Sequence, residues 1–584
     1  MNSFLKIFLA TLAALFVFSI LSFFMLLGFV TGLAAPEKTH TGANAVLVVD
    51  LSQQYPEIEK KNILAALGTE GEYDVPSLHN VVRLIRKATI DSAVKGIYIK
   101  CDYNANGFGA SEEIRNALLD FRVSKKFIYA YADVIPQDAY QVANVADKIY
   151  CHPKGGVDWR GFGLTMAFVK GTLEKLEIQP QIFYAGKFKS ATEPFREKKM
   201  TDANRLQTKE LLNDLYSYFL LQTSQMRNID TAQLRSLADK EVIRFPEDAL
   251  KNHLVDGLKY DDEVKEEIRA VLKVNRLDKI NFVPLGKYAK AVSFKESGKG
   301  QIALIYAEGD IVPGKGTKEQ IGSEEYQKLI RRARLDEKVD AIVLRINSGG
   351  GSSLASENIW RELTLAKKEK PVVVSFGDVA ASGAYYLSCN ADSIFAQPNT
   401  ITGSIGVFAL VPNLQQFFNN KLGVTFDDVA TGPNAGGLSV VKPLTESQKR
   451  FIQQQIDTIY HDFKSRVAEG RKKSLMFVDS IAQGRVWSGS RALELGLIDR
   501  IGGLKEAVAS AATMAKVNTY SIREYPGERG LLEELFGNYR DNSRAKMLEH
   551  ELGREGLQSF TLFRRVKEMI GVTQARIPFD FSFD

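Results

Sequence analysis

GDVAASGAYYLSCNADSIFAQP, Gly377 to Pro398, answers ADVIPQDAYQVANVADKIYCHP, Ala132 to Pro153, at an offset of 245 residues. The same offset relates VDAIVLR at Val339 to VKGIYIK at Val94, and LASENI at Leu354 to GASEEI at Gly109. Further on, Tyr460 and Phe463 fall on Tyr216 and Phe219 at 244, and GLIDRI at Gly496 falls on HLVDGL at His253 at 243. Two unrelated α/β segments keep no constant offset, whereas a duplicated supersecondary unit does. The chain is therefore read as one architecture used twice.

Each copy alternates short apolar strands with helical segments. In the second copy IALIYAEGDI at Ile302, AIVLRI at Ala341 and VVVSF at Val372 are β-rich, and SEEYQKLIRRARLD between the first two is amphipathic. That order predicts βαβ units around a largely parallel sheet. Longer helices are expected around Thr201 to Arg227 and Thr445 to Glu469, and a polar link near Asn275 to Gly300. The expected fold is thus α/β, with tandem repeats over 44–275 and 295–520. An extension over 521–584 lies outside the repeat and shows no legible role.

The amino terminus adds a third element. Ile7 to Val30 carries no charged residue, long enough as a helix to cross a hydrocarbon core of ~30 Å and longer than the h-region of a cleaved signal peptide. Residues 1–35 are read as a transmembrane anchor. Lys6 precedes the span, which favours a cytoplasmic start and an exported body. A net charge of +6 over 584 residues, with no dense Lys/Arg stripe, does not suggest a nucleic-acid partner. Cys101, Cys151 and Cys389 follow no metal-ligand or CxxC spacing and read as small buried side chains. No metal or cofactor is expected.

The chemistry lies where the copies differ. Ser382-Gly383, in AASGAYY at the hand-over from strand to helix, corresponds to Gln137-Asp138 in the first copy. INSGGGSS, with Gly350 and Gly351, corresponds to Asp102-Tyr103-Asn104-Ala105-Asn106, which keeps no glycine pair. Glycines there allow close backbone approach and aim N–H groups at a bound carbonyl. Lys189, in AGKFKSATEPF, stands fifty-two residues after Gln137, and fifty-two after Ser382 comes Asn434. The lysine survives where the serine is lost, and the serine where the lysine is lost. A Ser382/Lys189 dyad divided between the copies is the expectation, formed where the halves meet. None of the six histidines falls in a triad-like motif.

At these residues the sequence resembles the signal peptide peptidase A (protease IV) family in its long bacterial form. The resemblance covers the chain from the anchor to about Val517. It implies tandem domains of the Clp/crotonase type and a serine endopeptidase anchored in the bacterial inner membrane as a single-pass protein. Its body would face the periplasm, where it would degrade cleaved signal peptides through an acyl-enzyme. ASGAYY matches the family's nucleophile motif, which carries that role onto Ser382. FKSATEPF matches the general-base motif, which points to Lys189 rather than Lys187. TGSIG, Thr402 to Gly406, places Ser404 to hydrogen-bond the lysine. Gly383 with Gly350 or Gly351 would supply the oxyanion donors, aided by the helix beginning near Ser382, and a homotetramer is implied. Gly349 replaces the proline of the family's NSPGG, a change expected to loosen that loop.

A free lysine has a pKa of ~10.4, so Lys189 serves as a base only where burial without a carboxylate partner lowers it. Glu193 is expected to point elsewhere. Two other classes share parts of this pattern. A crotonase-type acyl-CoA enzyme would use the glycine loop but need neither Ser382 nor Lys189, and a catalytically silent membrane scaffold would need none of these residues.

Overall fold

The computed structural model describes residues 3–33, 40–59, 75–292, 298–432, 435–526 and 573–577. Asn434, the counterpart of Lys189, and most of the extension over 521–584 lie outside the described residues. The apolar runs of the first copy form six parallel strands in the spatial order Gly257–Leu258, Lys148–Val157, Phe127–Ile135, Val94–Lys100, Ala45–Asp50 and Phe282–Pro284. Side chains alternate across the sheet, as strand geometry requires. Leu47, Val49, Ile97 and Ile99 pack with helices Leu78–Ile90 and Phe108–Arg122. Val46, Tyr98, Tyr129 and Tyr150 pack on the other face against Val264 and Ile268 of helix Asp261–Leu272.

The second copy repeats this plan. Ala341–Ser348 lies between Gly300–Glu308 and Val372–Ala381, all parallel. Ala303, Ile305, Ile342 and Leu344 face helices Ser323–Leu335 and Ser353–Lys367. Ile302, Leu304, Val343 and Val373 face helix Leu504–Met514. The correspondence extends to the edges: Tyr520–Tyr525 pairs with Gly300–Glu308 as Phe282–Pro284 pairs with Ala45–Asp50. The segment Asn275 to Gly300, read from sequence as a polar link, therefore contains a strand and the helix Leu285–Ala291. Val283, Leu285 and Tyr288 are buried, and their apolar surface completes the sheet edge.

A third sheet joins the copies. Its order is Gln320–Gly322, Asp310–Val312, Gly350–Ser352, Gln574–Arg576, Val407–Asn413 and Gln179–Ala185. The last strand comes from the first copy and runs antiparallel to Val407–Asn413 in unbroken register, Val407 opposite Ala185 through Asn413 opposite Gln179. A second seam is electrostatic. Arg345, 1% exposed, pairs with Glu57 at 2.8 Å and Glu113 at 2.6 Å, both from the first copy. It also donates to Ser375 Oγ and the Phe376 carbonyl at 2.9 and 3.0 Å. Burial disfavours its charge, but Glu113 and Glu57 outweigh that and raise its pKa.

At the amino terminus Ser3–Leu33 is one continuous helix, and its described side chains, Phe16 and Met25 among them, are exposed. Among the described residues no helix is long and apolar enough to cross a membrane; the side chains of this helix are described only in part.

Removing one partner of a buried ion pair strands the other, at a cost of about 3–5 kcal/mol. Arg345→Ala is expected to destabilise the protein by about that amount in chemical denaturation. A loss under about 1 kcal/mol, typical of an exposed pair, would contradict this account of the seam.

Candidate active site

Ser382 sits between the strand Val372–Ala381 and the short helix Gly383–Ser388, with φ 56° and ψ −114°. A non-glycine residue in such a conformation stores about 1–3 kcal/mol, held by its surroundings. The Ser382 N–H donates to the Gly403 carbonyl at 2.8 Å, and its own carbonyl accepts from Tyr386 N–H at 2.8 Å. Glycine lets the next residue pack closely: a Cβ on Gly383 would stand 2.7 Å from Ser356 Oγ and 3.2 Å from the Gly351 nitrogen. The helix has only six residues, too short for a long helix dipole to build up behind the Gly383 N–H.

Lys189 arrives from the other copy. The strand Gln179–Ala185 ends at Gly186, whose φ of +102° turns the chain, and Phe188 N–H donates to the Gln483 carbonyl at 2.8 Å. Gln207, on helix Asp202–Arg227, donates to the Phe188 carbonyl at 2.9 Å and to Ser190 Oγ at 2.8 Å. On the opposite side a Cβ on Gly484 would stand 2.7 Å from the Lys189 backbone nitrogen and Cα. Gly484 is thus a requirement for the lysine to enter. Neither it nor Gln207 carries a sequence signal, since each matters only through the backbone it touches.

The lysine side chain is 1% exposed, and Nζ lies 2.8 Å from Ser382 Oγ, 3.1 Å from Ser404 Oγ and 3.2 Å from the Ser404 carbonyl. Burial holds its pKa well below the ordinary lysine value. Glu193 is buried and engaged elsewhere: its carboxylate accepts from Thr201 Oγ1 at 2.6 Å and Asn204 Nδ2 at 2.9 Å, and Arg196 lies 3.7 Å away. A neutral amine has two N–H donors and one lone pair. The two Ser404 oxygens match the donors, which leaves the lone pair for the Ser382 hydroxyl.

Two backbone amides flank the serine. The Gly350 N–H is taken up by Ser348 Oγ at 3.1 Å, whereas Gly351 N lies only 3.2 Å from where a Cβ on Gly383 would stand. Gly383, as the first residue of its helix, has no partner within that helix for its N–H. Of the glycines singled out from sequence, Gly351 and Gly383 thus bring their backbones close together beside Ser382, and Gly350 shapes the turn with a φ of +101°. The loop at Gly349 is held rather than loose: its carbonyl accepts from Ile577 N–H at 2.9 Å. Cys101, Cys151 and Cys389 are buried free thiols. Among the described residues no group of three or more His, Cys, Asp or Glu side chains could hold a metal ion.

The profile of peptidase family S49 matches residues 120–275 and again 364–518, one match in each copy. Protease 4 of Salmonella typhi is 34% identical over 488 residues, which cover 81% of this chain and 78% of that protein. Protease 4 of Haemophilus influenzae is 32% identical over 496 residues, 81% of this chain and 80% of its own length. The chloroplastic serine protease SPPA of Arabidopsis thaliana is 32% identical over 439 residues, 74% of this chain and 64% of its own. The chain is thus a member of peptidase family S49, a serine peptidase family, with the family's domain present twice in an α/β fold.

Proposed function

We propose that the chain is a membrane-anchored serine endopeptidase that degrades apolar peptides, cleaved signal peptides among them, through a Ser382/Lys189 dyad. The observation that carries this reading is the 2.8 Å approach of a fully buried lysine amine to a strained serine, with no carboxylate on the amine. Neutral Lys189 accepts the Ser382 proton as Oγ attacks the substrate carbonyl. The amides of Gly351 and Gly383 receive the developing negative charge, donors of a kind worth about 3 kcal/mol each in the transition state. Lys189 then gives its proton to the leaving amine. A water molecule, deprotonated by the same lysine, releases the acyl group from Ser382. Ser404 orients the amine through both of its oxygens.

The charge-free run Ile7 to Val30 within the helix Ser3–Leu33 supports the anchor, and with it a single-pass placement in the bacterial inner membrane with the body in the periplasm. A homotetramer is the proposed assembly; exposed Leu422, Val424, Phe426 and Val429 offer apolar surface for it.

A fluorophosphonate probe is expected to label the wild-type protein and to leave Ser382→Ala unlabelled. Lys189→Ala, folded by circular dichroism, should turn over a quenched apolar peptide at least about 10²-fold more slowly. Full activity in both variants would rule the dyad out.

The pH dependence has a definite sign. The base works deprotonated, so kcat/KM rises with pH as Lys189 loses its proton, and burial moves that limb below the ordinary lysine range. A limb centred at the free-lysine value of ~10.4 would contradict the proposed base.

A further inference from the structure

The strand that delivers the nucleophile is not regular. Between Phe376, opposite Ile346, and Ala380, opposite Ser348, the residues Gly377 to Val379 stand across from the single residue Asn347. A bulge of this kind bends a strand and re-aims the side chains that follow it. The strand pairs again over Val379–Ala381, against Ile401–Gly403, and Ser382 comes next. The aim of Ser382 is thus set by how the bulge is held. From the second copy itself, Asn347 Oδ1 accepts from the Val379 N–H at 3.1 Å, and Thr400 Oγ1 donates to the Gly377 carbonyl at 2.7 Å.

The centre of the bulge is held from the other copy. Helix Phe108–Arg122 starts at Gly107, which has no side chain to cap the first amides. Its counterpart Ser352 caps the second copy's helix by accepting from the Ala355 N–H at 3.3 Å. In the first copy the cap comes instead from Asp378, whose carboxylate accepts from the Ala110 N–H at 2.8 Å and from the Gly109 N–H. Those are the two amides that an N-cap side chain ordinarily serves. The fit is close: a Cβ on Gly107 would stand 2.3 Å from Asp378 Cγ, and one on Gly109 2.9 Å from the Gly377 carbonyl oxygen. Asn399 Nδ2 donates to the Phe108 carbonyl at 2.9 Å, and Phe108 packs against the cluster that holds Ala381 and Ile401.

We infer that Asp378 is a positioning residue for the nucleophile: by capping the first copy's helix it fixes the bulge that aims Ser382 at Lys189. This rests on the peptidase reading above and deepens it, since the first copy then sets the direction of the serine as well as supplying the base. The path from cap to nucleophile is short, with only Val379, Ala380 and Ala381 between them. Ala380 and Ala381 are fully buried, so a shift of the bulge passes on to Ser382 rather than into free space. The conformation at Ser382, with a φ of 56°, persists only while its surroundings impose it. Loss of the cap frees the bulge and carries Ser382 Oγ away from its 2.8 Å contact with Lys189 Nζ. An asparagine offers the helix the same acceptor, so the position requires the shape of the side chain rather than its charge.

The rate of fluorophosphonate labelling, with kcat and KM for a quenched apolar peptide, tests this in the full chain. Asp378→Asn, which keeps the acceptor, is expected within about threefold of wild type. Asp378→Ala should lower labelling and kcat at least about tenfold with KM nearly unchanged. Gly107→Ala, whose new methyl displaces the carboxylate from the first copy's side, should do the same. The double variant should be no slower than the slower single one, because both substitutions remove one contact. A wild-type rate in folded Asp378→Ala, an equal loss in Asp378→Asn, or losses that multiply in the double variant would overturn the inference and leave the peptidase reading in place. Should Asp378→Ala not fold, Gly107→Ala decides alone, and a wild-type rate there overturns the positioning role. If wild type itself neither takes the label at Ser382 nor turns over the peptide, the peptidase reading fails and takes this inference with it.

Discussion

A lysine amine shut away from water, with two serines and a carbonyl around it and no carboxylate on it, is the constraint on which the rest of this structure depends. Between its lowered pKa and the ordinary lysine value of ~10.4, the unfolded chain holds a proton that the folded site lacks. Stability therefore rises with pH across that window, and below it the site costs stability. The nearest acid of its own segment, Glu193, is kept from relieving that cost because Thr201 and Asn204 take up its carboxylate. The strain at Ser382 adds to the same cost. Both must be offset by packing elsewhere, and the two large cores on either side of the seam supply it.

Duplication gives this burial a simple geometry. One sheet delivers a serine from the end of Val372–Ala381, and the other copy delivers a lysine from the end of Gln179–Ala185, so the two meet from opposite walls. The amine can be enclosed because the walls belong to separate cores that close on it. The shared sheet fixes how far Gln179–Ala185 slides along Val407–Asn413, and the Arg345 cluster fixes the approach of the first copy to the strand Ala341–Ser348. A one-residue slip in the shared sheet would exchange the faces of every side chain in the strand that carries the lysine loop.

Much of this was legible from the chain alone. The constant offset between copies predicted repeated α/β units, and the complementary losses at Ser382 and Lys189 singled out that pair. The features that escaped share a physical cause. Gly484 and Gln207 matter through contacts with the Lys189 loop made across long separations in sequence. Phe282–Pro284 was hidden in a polar stretch because three residues are too few to show alternation. Gln574–Arg576 carries no strand pattern of its own, since the two edges of the groove impose its conformation. Of the glycines, sequence offered Gly350 and Gly351 equally; Ser348 separates them by occupying the Gly350 amide.

The central claim is that burial between the two copies holds Lys189 well below the ordinary lysine range, and the most direct measurement is the titration of its own side chain. In protein labelled with ¹³C at the lysine ε-carbon, the Lys189 resonance, assigned by its loss in Lys189→Met, can be followed against pH. The account predicts a single transition well below the free-lysine range. A Lys189 resonance that titrates with the surface lysines near ~10.4 would contradict it.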